Sequence, residues 1–254
     1  MYKNEDFFIN CHGTDIHSTL DYPADQKEKM PVMVLISGFT GYIEEDHIIA
    51  IKDAANEAGY VVLRSELYGH GKSGGDFYDH NLLLWTAETM CIIRYAMNLP
   101  FAGDVVLAGH SQGGLTAVLA GGIMSDLIKA LIPLSPALCI PYDAKRGSIL
   151  GNEFDPEDLP EKLVSPDGWE LGTDYVRVAR LIDTDKTVKS YKGPVLVVHG
   201  AEDEVVPFRF AEELAEKYEN GRLISIENAD HCFTGHFDEL KKVIRDYLTE
   251  ILNS

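Results

Sequence analysis

Gly109-His110-Ser111-Gln112-Gly113 constrains this chain more than any other stretch. It follows an apolar run, Asp104 to Ala108, and precedes a small-residue helical pattern, Gly114 to Gly122, so the serine falls on a strand-to-helix turn. That is the setting of a nucleophile elbow. A serine there adopts strained backbone angles so that its hydroxyl projects above the sheet, and side chains two positions to either side would collide with the packed strand and helix. Gly109 and Gly113 remove those side chains.

The rest of the chain reads as α/β. Phe7 to Asn10 and Ile16 to Tyr22 flank a turn at Cys11-His12-Gly13-Thr14, an antiparallel start to a sheet. Lys27 to Pro31 is a polar connection into Val32 to Ile36, an unbroken apolar run expected of a strand buried on both faces. Helical spacing from Ile48 closes at Gly59, the strand Tyr60 to Arg64 follows, and strand–helix–strand implies a right-handed parallel crossover. The loop Glu66 to Gly75 is glycine-rich without phosphate-loop spacing. A helix over Leu82 to Met97, the elbow, a strand Ala130 to Leu134, a strand Pro194 to Val198, a helix Phe208 to Tyr218, a strand Leu223 to Ile226 and a helix Phe237 to Leu252 complete the pattern. About sixty residues separate Leu134 from Pro194, too many for an ordinary crossover. Residues 138–192, with a turn at Ser165-Pro166-Asp167-Gly168, are therefore expected to form a cap inserted into a single domain spanning 1–254.

Charge bears on partners more than on fold. The chain carries 41 acidic against 22 basic residues, a formal net charge of -19. Nucleic acid and anionic membrane surfaces are disfavoured by that field. No basic-then-apolar leader opens the sequence and no apolar run reaches spanning length, so a cytoplasmic protein is expected. The four cysteines, Cys11, Cys91, Cys139 and Cys232, show no metal or redox spacing and suit reduced thiols in a cytosolic protein.

A serine is a weak nucleophile at neutral pH until a histidine takes its proton and an acid orients that histidine. In chains with this elbow the acid and then the histidine sit on loops after late strands. Asp203 follows Val195 to Val198 and His231 follows Leu223 to Ile226. Glu202 and Glu204 compete with Asp203 for the acid, and Asp230 reads as a loop residue. Of the other histidines, His12, His17, His47, His70, His80 and His236 are expected mostly on surfaces and loops, His110 as support beside the nucleophile, and His199 as a structural hydrogen-bonder. Acyl transfer also needs two backbone donors for the oxyanion, and the expected ones are the amides of Gln112 and of Phe39, in Gly38-Phe39-Thr40-Gly41 after the third strand.

Taken together, these stretches resemble the α/β-hydrolase superfamily over nearly the whole chain. More narrowly, Gly38-Phe39-Thr40-Gly41, Gly109-His110-Ser111-Gln112-Gly113-Gly114, the insertion after Leu134-Ser135-Pro136-Ala137 and the Asp203 and His231 contexts resemble the bacterial cinnamoyl (feruloyl) esterases. The resemblance implies an α/β-hydrolase fold, with a mostly parallel central sheet flanked by helices, and hydrolysis of hydroxycinnamate esters. It also implies that polar cap residues contact the phenolic hydroxyl, here Asp143 and Tyr175, a carboxylate that accepts and a phenol that donates and accepts. Two positions depart from the pattern: Ser37 stands where a histidine is usual before Gly-Phe, and Leu150 where a polar group can occur.

The expected chemistry is a two-step serine esterase with Ser111 as nucleophile, His231 as base, Asp203 as its orienting acid, and no metal or organic cofactor. Its partner is a small-molecule ester, and a homodimer stays open as an assembly. A general carboxylesterase or monoacylglycerol lipase is the second enzyme reading, and a catalytically inactive, ligand-binding hydrolase fold is the rival from another class.

Overall fold

The computed structural model describes residues 2–23, 28–165 and 167–254, so Lys27 of the polar connection and Pro166 of the cap turn lie outside the described residues. The chain opens with β1 (Tyr2–Cys11) and β2 (Thr14–Pro23), followed by β3 (Met30–Ile36), α1 (Asp46–Glu57), β4 (Val61–Ser65), a 3-10 turn (Phe77–Asp79), α2 (Leu82–Met97), β5 (Ala102–His110), α3 (Gln112–Ile123) and β6 (Ala130–Leu134). Between β6 and the next long strand come α4 (Cys139–Arg146), β7 (Ser148–Ile149), β8 (Asn152–Glu153), β9 (Lys162–Val164), β10 (Glu170–Gly172), α5 (Thr173–Leu181) and α6 (Thr184–Ser190). The last four elements are β11 (Val195–Gly200), α7 (Arg209–Lys217), β12 (Gly221–Ile226) and α8 (Phe237–Leu252).

Eight strands form one sheet in the order β1-β2-β4-β3-β5-β6-β11-β12. The β1–β2 and β2–β4 pairings are antiparallel and all the others parallel, so β2 alone runs against its neighbours. The apolar run of β3 shows why the sheet is covered on both sides. Side chains alternate across a strand, and accordingly Val32, Val34 and Ile36 pack with Trp85, Ile92, Val118 and Leu214 from α2, α3 and α7. Met33 and Leu35 instead meet Ile48 and Ile51 of α1 and Leu240, Ile244 and Leu248 of α8. Each face thus buries apolar side chains from its helices, with α3 buried all round, at roughly 1.5–3 kcal/mol for each fully buried aliphatic side chain. Helices on both faces leave the carboxyl ends of the parallel strands open, where such sheets place their sites.

The residues between β6 and β11 enclose a third apolar cluster, in which Ile140, Ile149, Leu163, Leu171 and Val176 pack with Leu82, Leu115 and Val206. These elements therefore lie over the ends of α2 and α3, next to the elbow. Two expectations need correction. The connection before the third strand ends sooner than its polarity suggests, because Met30 already pairs with Ala102 and the strand begins there. The cysteines are not all free thiols: Cys11 and Cys91, 80 residues apart, form a disulfide with Cα atoms 5.9 Å apart, tying the first hairpin to α2. Cys139 and Cys232 are free.

Candidate active site

Ser111 stands between β5 and α3 with φ 56 and ψ -120, a conformation of the kind that costs a non-glycine residue on the order of 1–3 kcal/mol. Its neighbours hold it there. Its amide donates to the Leu134 carbonyl at 2.9 Å, and its own carbonyl accepts from Leu115 and Ala137. A Cβ on Gly109 would come within 2.2 Å of the Gly113 carbonyl oxygen, and one on Gly113 within 2.3 Å of the Ser37 carbonyl oxygen. Both glycines are therefore required by backbone proximity.

The candidate acid and base come from the loops after β11 and β12. Asp203 Oδ2 lies 2.7 Å from His231 Nδ1. The Asp203 side chain is inaccessible to solvent and the His231 side chain is 13% exposed, so the pair is shielded while the imidazole keeps an open edge. Asp203 Oδ1 accepts the amides of Val205 and Val206, each at 2.8 Å, and Oδ2 also lies 3.1 Å from His199 Nε2. Burial raises the Asp203 pKa, but the bonds from His199, His231 and the Val206 amide outweigh it and hold the carboxyl well below its ordinary range. With Asp203 ionised, His231 carries its proton on Nδ1 and presents Nε2 as a base. Glu202 and Glu204 are exposed. Asp230 accepts the amides of Cys232 and Thr234, which shapes the loop that carries His231.

Among the described residues, the amides of Phe39 and Gln112 donate to no protein acceptor. Gln112 is the first residue of α3, where an unpaired N–H is normal and favours negative charge. Phe39 follows Gly38, where a Cβ would approach the Ser111 Cβ to 3.0 Å, so its loop borders the nucleophile. The support that Ser37 cannot give this loop comes from a residue of the glycine-rich turn. His70 Nε2 accepts the Thr40 amide at 3.1 Å while its Nδ1 donates to the Tyr68 carbonyl at 3.1 Å. Burial lowers the His70 pKa to about 4, which keeps Nε2 free to accept.

The histidines correct the expectation that most lie on the surface. His17, His47, His70, His80, His110 and His199 are all buried, each with at least one ring nitrogen hydrogen-bonded. His110 lends the support expected of it: its Nε2 donates to the His231 carbonyl at 2.9 Å, and its Nδ1 lies 3.1 Å from His47 Nε2.

A cavity of about 240 Å³ opens beside Ser111, bordered by Phe39, Gln112, Ile140, Asp143, Leu150 and Val206 among others. Asp143, on α4, is half-buried, and burial raises its pKa against the pull of Arg209 and Arg146. Tyr175 does not border this cavity. It is buried, and its hydroxyl donates to Gln112 Oε1 at 2.6 Å, which leaves Gln112 Nε2 buried without a partner among the described residues.

Comparison with known proteins places these features in context. Est1E from Butyrivibrio proteoclasticus, in a structure with ferulic acid bound, superposes with a TM-score of 0.96 at 42% identity, over 98% of this chain and 100% of the other. The AB hydrolase superfamily protein YisY of Bacillus subtilis is 27% identical over 77% of this chain and 82% of its own length. Mouse alpha/beta hydrolase domain-containing protein 10 shares the fold, with a TM-score of 0.74 at 17% identity, over 97% of this chain and 99% of that one. The sequence profile described as Alpha/beta hydrolase family matches residues 33–243. Since that match takes in the elbow serine together with the late-strand carboxylate and imidazole, the chain belongs to the alpha/beta hydrolase family.

Proposed function

We propose that this chain is a serine esterase that cleaves hydroxycinnamate esters through an acyl-enzyme. The observation that carries the reading is the cavity beside the strained Ser111, with largely apolar walls and the Asp143 carboxylate among them. The 42% identity to Est1E, whose structure holds ferulic acid, supports the same substrate class.

In this reading His231 Nε2 takes the Ser111 proton as Oγ attacks the ester carbonyl, and the amides of Phe39 and Gln112 receive the oxyanion. Protonated His231 then gives its proton to the leaving alcohol, and the acyl group remains on Oγ. Water, deprotonated by the same imidazole, attacks the acyl-enzyme and releases the acid. Asp203 keeps the imidazole in its productive tautomer throughout. Asp143 accepts the phenolic hydrogen of the acyl group, and Tyr175 acts on substrate through Gln112, whose side chain it anchors. The elements of residues 138–192 serve as the cap that closes the acyl pocket.

An alkyl acyl chain, as in a general carboxylesterase or monoacylglycerol lipase, would cover the Asp143 carboxylate without giving it a hydrogen bond, which is costly. A non-catalytic binding protein would have no need of the Asp203–His231 bond or of a strained serine at the elbow. Fluorophosphonate labelling separates these classes: covalent modification of Ser111 in the folded protein is expected, and its absence would favour the binding reading.

No helix of the described residues is long and apolar enough to cross a membrane. A cytoplasmic location, as expected from the sequence, requires Cys11 and Cys91 to be reduced in cells, because the cytosol keeps thiols free. Thiol trapping in cells tests it: free thiols support that location and an oxidised pair opposes it. Whether the chain works as a homodimer is measured directly by light scattering.

A further inference from the structure

One group of metal-ligating side chains stands apart from the triad. A ring nitrogen of His47, a ring nitrogen of His110 and Cys232 Sγ all lie within 4.8 Å of one another. They come from the start of α1, the end of β5 and the loop before α8, so no sequence spacing announces them. Because His110 Nε2 donates to the His231 carbonyl, its Nδ1 carries the lone pair, 3.1 Å from His47 Nε2. Two nitrogen ligands on a tetrahedral ion with bonds of about 2.0–2.1 Å stand about 3.4 Å apart, and a nitrogen and a thiolate sulfur about 3.6 Å. The imidazoles are thus already near ligand spacing, and the sulfur has to close by roughly 1 Å at most.

The chemistry of the three groups suits a cation. Neutral imidazole is the ligating form; both rings are buried, and the bond from His110 Nε2 to the His231 carbonyl leaves His110 Nδ1 as the atom with a free lone pair. Cys232 is partly exposed, which gives a path from solvent. Glu45, Asp230 and Asp203 all act on Cys232, and the negative field of these carboxylates draws cations to the same opening.

We propose that His47 Nε2, His110 Nδ1 and Cys232 Sγ form a binding site for a soft or borderline divalent cation of the zinc type, and that its occupation slows hydrolysis at the adjoining His231. On binding, the Cys232 S–H bond breaks, its proton leaves to solvent and a sulfur–metal bond forms. The His47 proton passes from Nε2 to Nδ1 by exchange with water, so both rings stay neutral and nothing is oxidised or reduced. Water fills the fourth position. Cys232 directly follows His231 and His110 holds the His231 carbonyl, so drawing the three ligands together moves the catalytic imidazole. A misplacement of about 1 Å can cost a reaction about 100-fold.

The test is a titration of Co(II) into metal-free wild type, Cys232→Ser and His47→Gln, read by absorption and by ester hydrolysis relative to each protein's own metal-free rate. Wild type is expected to gain a near-ultraviolet thiolate-to-cobalt band saturating at one equivalent. Its rate should fall at least about 10-fold with the same midpoint, and a chelator should reverse both changes. Cys232→Ser should lose the band, and His47→Gln, which keeps the thiol, should bind at least about 10-fold more weakly. A wild type without the band, a band that survives in Cys232→Ser, equal affinity in His47→Gln, or an unchanged rate at saturation would overturn the proposal. If Cys232→Ser does not fold, His47→Gln decides it. The absorption readout is independent of which ester the enzyme prefers, so failure here is distinguishable from failure of the proposed function.

Discussion

His70 Nε2 accepts the Thr40 amide across 3.1 Å, joining the glycine-rich turn after β4 to the loop that carries Phe39, the proposed oxyanion donor. Without that acceptor the Thr40 N–H is left unpaired and the donor loses its anchor. His70→Ala should therefore lower kcat about 10-fold with a smaller change in KM, and cost about 1–3 kcal/mol of stability. His70→Gln, whose amide oxygen can accept the same bond, should recover part of the rate. Steady-state kinetics of the two variants check it, and an unaltered kcat in His70→Ala would remove His70 from the oxyanion loop.

Asp203 fixes the His231 tautomer through the 2.7 Å contact. Asp203→Asn should lower kcat by roughly 10³–10⁴, with little loss of fold, since the amide keeps the shape and the Val205 and Val206 bonds while reversing the polarity of the contacts to His231 and His199. Circular dichroism beside kinetics separates the two effects. A loss under about 10-fold would point to another acid.

The buried histidines make stability pH-dependent. His47 and His70, lowered to about 4, and His80, lowered to about 3, all chiefly by burial, bind fewer protons folded than unfolded. Their contribution is full above the ordinary 6.5 and is lost as pH falls from there through the folded values. Glu88, pushed up to about 7 by burial, acts in the opposite sense, favouring the fold below its ordinary 4.5 and losing that as pH rises towards 7. Three imidazoles against one carboxyl predict a Tm that declines as pH is lowered from about 6.5, the decline easing below about 4 as His47 and His70 take up their protons in the folded state. A flat Tm across that range would contradict the buried neutral rings.

The Cys11–Cys91 bond closes a segment of 80 residues. In the chain-entropy account such a closure contributes about 4–5 kcal/mol. Reductant should lower the Tm of wild type by roughly 10–15 °C and leave that of Cys11→Ala/Cys91→Ala unmoved. Equal response of the two proteins would show that the bond contributes nothing.

Much of this was legible because some signals are local. Leu82–Met97, Ala130–Leu134 and Phe237–Leu252 have the bounds that their periodicity predicts, and the strand-to-helix turn at Ser111 and the pairing of Asp203 with His231 after late strands are where loop position puts them. The first hairpin runs further than its apolar residues suggest, because polar pairs such as Asn4 with Asp21 extend the ladder. What escaped depends on tertiary proximity. Nothing near His70 announces that it reaches Thr40, 30 residues away, and no spacing pairs Cys11 with Cys91. Tyr175 illustrates the same limit: its bond to Gln112 follows from how α5 packs on α4 and α2, which spacing does not encode.

Asp143 should govern acyl specificity. Asp143→Asn is expected to raise KM for hydroxycinnamate esters about 10-fold, the loss of one charge-assisted hydrogen bond, while aliphatic esters change little. An equal effect on both classes would give Asp143 a structural role only.

The most direct measurement is a hydrolysis panel of methyl ferulate and chlorogenate beside aliphatic p-nitrophenyl esters, run on wild type and Ser111→Ala. The account predicts higher kcat/KM on the hydroxycinnamates and a loss of at least about 10⁴-fold in the variant. Turnover of aliphatic esters alone, or activity that survives in Ser111→Ala, would contradict it.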